Sequence, residues 1–162
     1  MAWEDHAVVL DSESLTWPSV LHIPHKRFRL FVAATVIDVS TELISEFARS
    51  ALRSGMVYFC AWGQGCERFH DIVDEVIVED ELGDRLYAGP TAKDTVMTTW
   101  HAEETLAEAL EFFIKFSHPT NGFERNSHYW VAVSLNNHEW AAEIRRGLAE
   151  ANLDAYVPGN TL

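Results

Sequence analysis

The sequence predicts an α/β domain, a three-layer sandwich around a mostly parallel sheet of four to five strands with Rossmann-like or flavodoxin-like winding. Three observations carry this. Short, nearly continuous apolar runs recur, as strands buried on both faces require. Segments with apolar residues at helical spacing separate them. Strand then helix repeats four times, and right-handed crossovers turn that alternation into parallel strands covered on both sides. The chain has 162 residues, a length that suits one domain.

Residues 1–26 read as an N-terminal arm with room for one short strand. They hold the apolar patch Ala7-Val8-Val9-Leu10, then Trp17-Pro18 and Pro24, and proline favours extended or turn backbone. Residues 27–162 read as the single α/β domain. Phe28–Ile37 is the first buried strand. Ser40 caps a helix bearing Leu43, Ile44, Phe47, Ala48, Ala51 and Leu52 at helical spacing, and Gly55 can stop it. Met56–Trp62 is the second strand, broken by Gly63-Gln64-Gly65, and a helix runs from about Cys66 to about Glu79. Glu81–Lys93 reads as a loop, Thr95–Thr99 as the third strand, Ala102–Phe116 as the third helix and Asn121-Gly122 as a turn. Tyr129–Leu135 is the fourth strand. Asn136 then caps a fourth helix, with Glu139 completing a capping box. Asp154–Val157 can add an edge strand.

In open α/β sheets, ligands bind beyond the carboxyl ends of the strands. There the sequence places Asp38, the run Trp62-Gly63-Gln64-Gly65-Cys66-Glu67-Arg68-Phe69-His70-Asp71, the pair Trp100-His101, and Asn136-Asn137-His138. Three of the eight histidines and two of the six tryptophans fall on this edge, a placement no hydrophobic core demands. The binding candidates are Trp62, Gly63, Gly65, Glu67, Asp71, Asp74, Trp100, Asn136 and His138. Polar caps and tryptophan plugs would also explain part of this set.

Several chemistries lack their signatures. The Gly63-Gln64-Gly65 turn is followed by Cys66-Glu67, not Lys-Ser/Thr, and Arg68 stands where a dinucleotide motif needs its third glycine. Glu67 at the helix start would repel a phosphate. Neither cysteine has an arginine at the thiol-phosphatase spacing, and no Gly-x-Ser-x-Gly elbow is present. His70, Asp71, His101, Glu104 and His138 could ligate a metal only by converging from three loops, so no metal and no cofactor is expected. An enzymatic reading would use Cys66 as nucleophile, His70 four residues on as its base, and His101 as a further acid or base. The helical wheel, however, puts Cys66 inside the arc of Phe69, Val73 and Ile77, where a buried thiol is the plainer reading.

The stretch Trp62–Asp71 together with Trp100-His101 resembles the core of an uncharacterised bacterial family, over residues 28–117. The resemblance implies a bacterial source and an α/β fold, and carries no activity.

Twelve Lys and Arg against 25 Asp and Glu give a net charge of −13. That disfavours nucleic acid and anionic membrane as partners. Glu67, Asp71, Asp74, Glu75, Glu79, Asp80, Glu81 and Asp84 face one base, Arg68, so residues 67–84 contribute −7. Glu103, Glu104, Glu108 and Glu111 extend the acidic run. The leading expectation is therefore a non-catalytic acidic module that binds a basic protein partner, immunity-type or regulatory. The alternative is a small enzyme or ligand sensor with a Cys/His site at the strand ends. Self-association stays open. Two cysteines and a non-basic N-terminus suit a reducing, cytoplasmic setting.

Overall fold

The computed structural model describes residues 6–18, 27–83, 94–124, 129–151 and 153–156. Its elements are β1 (His6–Ser12), β2 (Phe28–Ala33), α1 (Thr41–Ser54), β3 (Met56–Trp62), α2 (Cys66–Leu82), β4 (Met97–His101), α3 (Leu106–Phe116), α4 (Asn121–Glu124), β5 (Tyr129–Leu135), α5 (His138–Glu150) and β6 (Asp154–Tyr156). The six strands form one sheet in the order β4-β3-β2-β5-β1-β6. Every neighbouring pair is parallel.

Strand alternation explains the layers. Along β2, Phe28, Leu30 and Val32 enter one core with Phe47, Phe59 and Phe69. Phe31 and Ala33 enter the other with Leu110, Phe113, Ile144 and Leu148. Helices α1 and α2 therefore cover one face, and α3 and α5 the other. This is why the strands read as unbroken apolar runs.

The helix ends follow local chemistry. Ser40 accepts from the Leu43 N–H, and Gly55 takes the left-handed conformation at φ 111°. In α3 the cap is Thr105, which forms a capping box with Glu108, so the helix begins at Leu106 instead of Ala102. In α5 the cap is Asn137, whose side chain accepts from the Trp140 N–H. Asn136 is not the cap: it sits at φ 55°, a backbone conformation that asparagine tolerates. Asn121-Gly122 opens the short helix α4 instead of a simple turn.

Strand ends depend on neighbours. Beyond Ala33 the partner strand turns away at Gly63, so Ala34 and Val36 donate to the Trp62 and Gln64 carbonyls. The strand expected to reach Ile37 stops at Ala33 for that reason. β4 is registered on β3 from Tyr58↔Met97 to Trp62↔His101, which shifts it two residues along from Thr95–Thr99.

The strand allowed for within residues 1–26 is β1, seven residues long, and it lies inside the sheet between β5 and β6. After it, Trp17 stacks on Phe28 at 5.2 Å and meets Phe47 edge-on at 5.8 Å. The expected loop Glu81–Lys93 begins after α2 ends at Leu82, and from Asp84 to Lys93 it lies outside the described residues, as do Pro24 and Val157. No helix among the described residues is long and apolar enough to cross a membrane.

Candidate functional site

β2, β3 and β4 succeed one another outward, whereas β5 lies on the opposite side of β2. The winding direction therefore reverses between β2 and β5, and a crevice opens there beyond the strand ends. One part of it, about 360 Å³, is lined by Thr35, Trp62, Gly63, Gln64, Ala102, Glu104 and Trp140. An adjoining part of similar volume shares Thr35 and Trp140 and adds Leu135, Asn136 and Asn137. A roomier groove of about 600 Å³ lies between α3 and α5, away from the strand ends, with Glu111, Lys115, Glu143 and Arg146 among its walls.

Two glycines build the β3–α2 turn. Gly63 has φ 115°, and a Cβ there would lie 2.1 Å from the Ala34 carbonyl oxygen. Gly65 has φ 86°, and a Cβ there would meet Val36 at 3.1 Å. Both are needed for backbone reasons before any ligand is considered. Arg68, the one base of α2, donates to the Val36 carbonyl and the Thr41 hydroxyl, so its charge is turned toward the β2–α1 loop.

The three strand-end histidines each have separate partners. His70 Nδ1 faces Asp71 at 3.0 Å and Nε2 faces the Thr98 hydroxyl at 2.9 Å. Thr98 in turn donates to Asp74 at 2.6 Å. The His70 ring packs on Trp100 at 4.4 Å. His101 bonds Glu104 at 2.5 Å and packs on Phe112. His138 bonds Asp11 of β1 at 2.6 Å, and this carboxylate holds its imidazole above the ordinary histidine value. β4, which carries the partner of His70, and β1, which carries the partner of His138, stand four strand spacings apart, roughly 19 Å. Among the described residues, no three His, Cys, Asp or Glu side chains gather as a metal site.

Cys66 does not pair with His70. Both ring nitrogens of His70 are engaged elsewhere, and Cys66 lies 2% exposed in the core beside Phe69. Burial pushes its thiol up, against a smaller opposing effect of the His101 backbone. Cys60, within β3, is pushed up to about 12 by burial. An activated nucleophile needs the opposite shift. Neither thiol is therefore expected to react with Ellman's reagent in the native protein, and both should react in denaturant. A native Cys66 reacting as fast as a free thiol would contradict this burial.

Gly63 and Trp62 thus line the crevice with Asn136, whereas Gly65 shapes the turn behind it. Glu67, Asp71, Asp74 and Trp100 lie on the outer α2 and β4 face, and His138 stands by β1. Sequence reasoning placed Gln64 and Asn137 at the strand ends without singling them out as candidates, and it missed Thr35 and Trp140 as crevice walls. Thr35 carried no local signal.

Fold and edge together define a small doubly wound α/β domain whose polar groups and crevice gather at the carboxyl ends of parallel strands. The chain belongs to the DUF7684 family, a domain of unknown function whose model matches residues 12–151. That span runs from the last residue of β1 to the residue after α5 and leaves β6 outside. No curated protein and no solved structure matches the chain.

Proposed function

We propose that this domain is a non-catalytic binding module that docks a basic protein partner on the face made by α2 and β4, in a reducing cytoplasm and, as the family resemblance implies, a bacterial one. The observation that carries the reading is the ridge Glu67, Asp71, Glu75 and Glu79. These four exposed acids stand at i, i+4 spacing along α2. Like charges so placed cost a helix about 0.2–0.5 kcal/mol per pair, so the ridge does not stabilise α2. The only base of the helix is turned away to Val36 and Thr41, and Arg49 of α1 reaches only the far end, at Glu79.

The neighbouring strand supports the same reading. Among the described residues β4 is the outermost strand at its end of the sheet, and it pairs with β3. On the α2 side it exposes Trp100, whose ring packs on His70, next to Thr98, which bonds Asp74. A strand edge offers main-chain hydrogen bonds to an extended segment. The acids would draw a lysine- or arginine-rich one and raise its association rate.

The test titrates isotope-labelled protein with a peptide of alternating lysine and threonine. The expected result is amide shifts confined to β4 and the outer face of α2, with affinity falling steeply as salt rises. Combining Glu67→Gln, Asp71→Asn, Glu75→Gln and Glu79→Gln should abolish binding. Neutralising Glu139, Glu143 and Glu150 on α5 should preserve it. Salt-independent binding, or equal loss in both variants, would overturn the reading.

A further inference from the structure

We propose that the crevice at the β2–β5 reversal binds a small organic cation, an alkylammonium or alkylguanidinium group, against the corner made by Trp62 and Trp140. The two indole rings meet at 84° with centroids 5.1 Å apart. They are held from opposite sides of the crevice. Trp62 Nε1 donates to the Glu104 carbonyl at 2.8 Å, which ties the ring to the β4–α3 loop. The Trp140 backbone N–H donates to the Asn137 side chain, which fixes the first turn of α5, and the Trp140 ring packs against the α3–α5 core. The corner therefore exists before a ligand arrives, and a preformed site loses less ordering entropy on binding.

The remaining walls set the ligand's charge. Thr35, Gln64 and Asn137 are neutral hydrogen-bonding side chains, and Glu104 is the one ionisable residue among the described residues that line the crevice. The Glu104 side chain is 44% exposed, and its carboxylate lies 2.5 Å from His101 Nδ1. No Lys or Arg lines the crevice among the described residues. An anionic ligand would meet that carboxylate and the field of a protein with net charge −13. A neutral ligand would gain nothing from either. A cation gains from the indole faces, from Glu104 and from the overall field. The volume, about 360 Å³ in each part, suits a ligand of a few heavy atoms to drug-like size. This site is separate from the α2–β4 face and uses none of its acids.

The experiment follows the indole N–H signals of Trp62 and Trp140 in labelled full-length protein during titration with agmatine and with choline. Matched sodium chloride, glucose and adenosine monophosphate serve as controls. Both signals are expected to move and saturate with at least one cation and to stay in place with all three controls. Trp140→Ala should remove the saturable shift at Trp62, with circular dichroism checking that the fold survives. Glu104→Gln, which keeps an acceptor for His101, should weaken binding by roughly two- to fivefold. Unmoved indole signals with both cations, shifts only with glucose or the nucleotide, or unchanged affinity in Glu104→Gln would overturn the proposal.

Discussion

Replacing Gly63 with alanine is expected to lower the melting temperature by about 10 °C. The added carbon would sit 2.1 Å from the Ala34 carbonyl oxygen and 2.9 Å from its carbon. Both are main-chain atoms, so no side-chain rotation relieves the overlap. Nor can the two segments separate cheaply. The Ala34 N–H donates to the Trp62 carbonyl at 3.0 Å, and Val36 donates to Gln64 at 2.9 Å. The position also needs φ 115°, which costs a residue with a Cβ about 1–3 kcal/mol before any clash. Together these put the loss at roughly 3 kcal/mol or more, against the 5–15 kcal/mol that holds a typical domain. Gly65→Ala makes the internal comparison. Its nearest obstacle is the Val36 methyl at 3.1 Å, so a smaller loss is expected. Thermal melts of the two variants beside the parent decide the matter. Equal melting temperatures for Gly63→Ala and the parent would refute the close approach of the two turns.

Phe69→Ala is expected to cost about 3–5 kcal/mol of unfolding free energy, the range for deleting a buried aromatic ring. Phe69 is 1% exposed. Its ring packs on Phe59 of β3 at 5.0 Å and edge-on to Phe47 of α1 at 5.9 Å. It thus joins α2 to both the sheet and the neighbouring helix. Urea unfolding followed by circular dichroism measures the loss. Phe69→Leu refills part of the space and should recover a good share of it. Because α2 also carries the acidic ridge, a milder Phe69 variant that stays folded should keep its charge-driven binding. A drop in peptide affinity in a folded Phe69→Leu protein would tie recognition to the exact placement of the helix.

The apolar runs and caps were readable because their causes are local. Met56–Trp62 and Tyr129–Leu135 are strands over the very residues whose side chains read as apolar, since both faces of a central strand are buried. Ser40 and Gly55 bound α1 as their chemistry requires. Adjacent candidates were harder to separate. Asn136 and Asn137 are the same residue type, and the cap fell to the second because the first occupies the left-handed turn. Thr105 and Glu108 spelled out a capping box that a start at Ala102 passed over.

The candidate site was legible only in part. Placing Trp62, Gly63 and Asn136 beyond strand ends needed no more than the α/β pattern and its rule for ligands. The inward turn of Cys66 was foreseeable from its 100° steps along α2, which put it with Phe69 and Val73. Other facts depended on strand order, which is set by long-range pairing and leaves no trace in any short stretch of sequence. Inserting β1 between β5 and β6 brought Asp11 to His138, 127 residues away in the chain. Setting β5 beside β2 brought Thr35 and Gln64 to face Trp140. Local periodicity and capping were enough for the central strands and both ends of α1, and composition for the −7 charge of residues 67–84. The partners of the histidines and the walls of the crevice were decided by which strands came to lie side by side, because a parallel sheet joins residues far apart in sequence at a single edge.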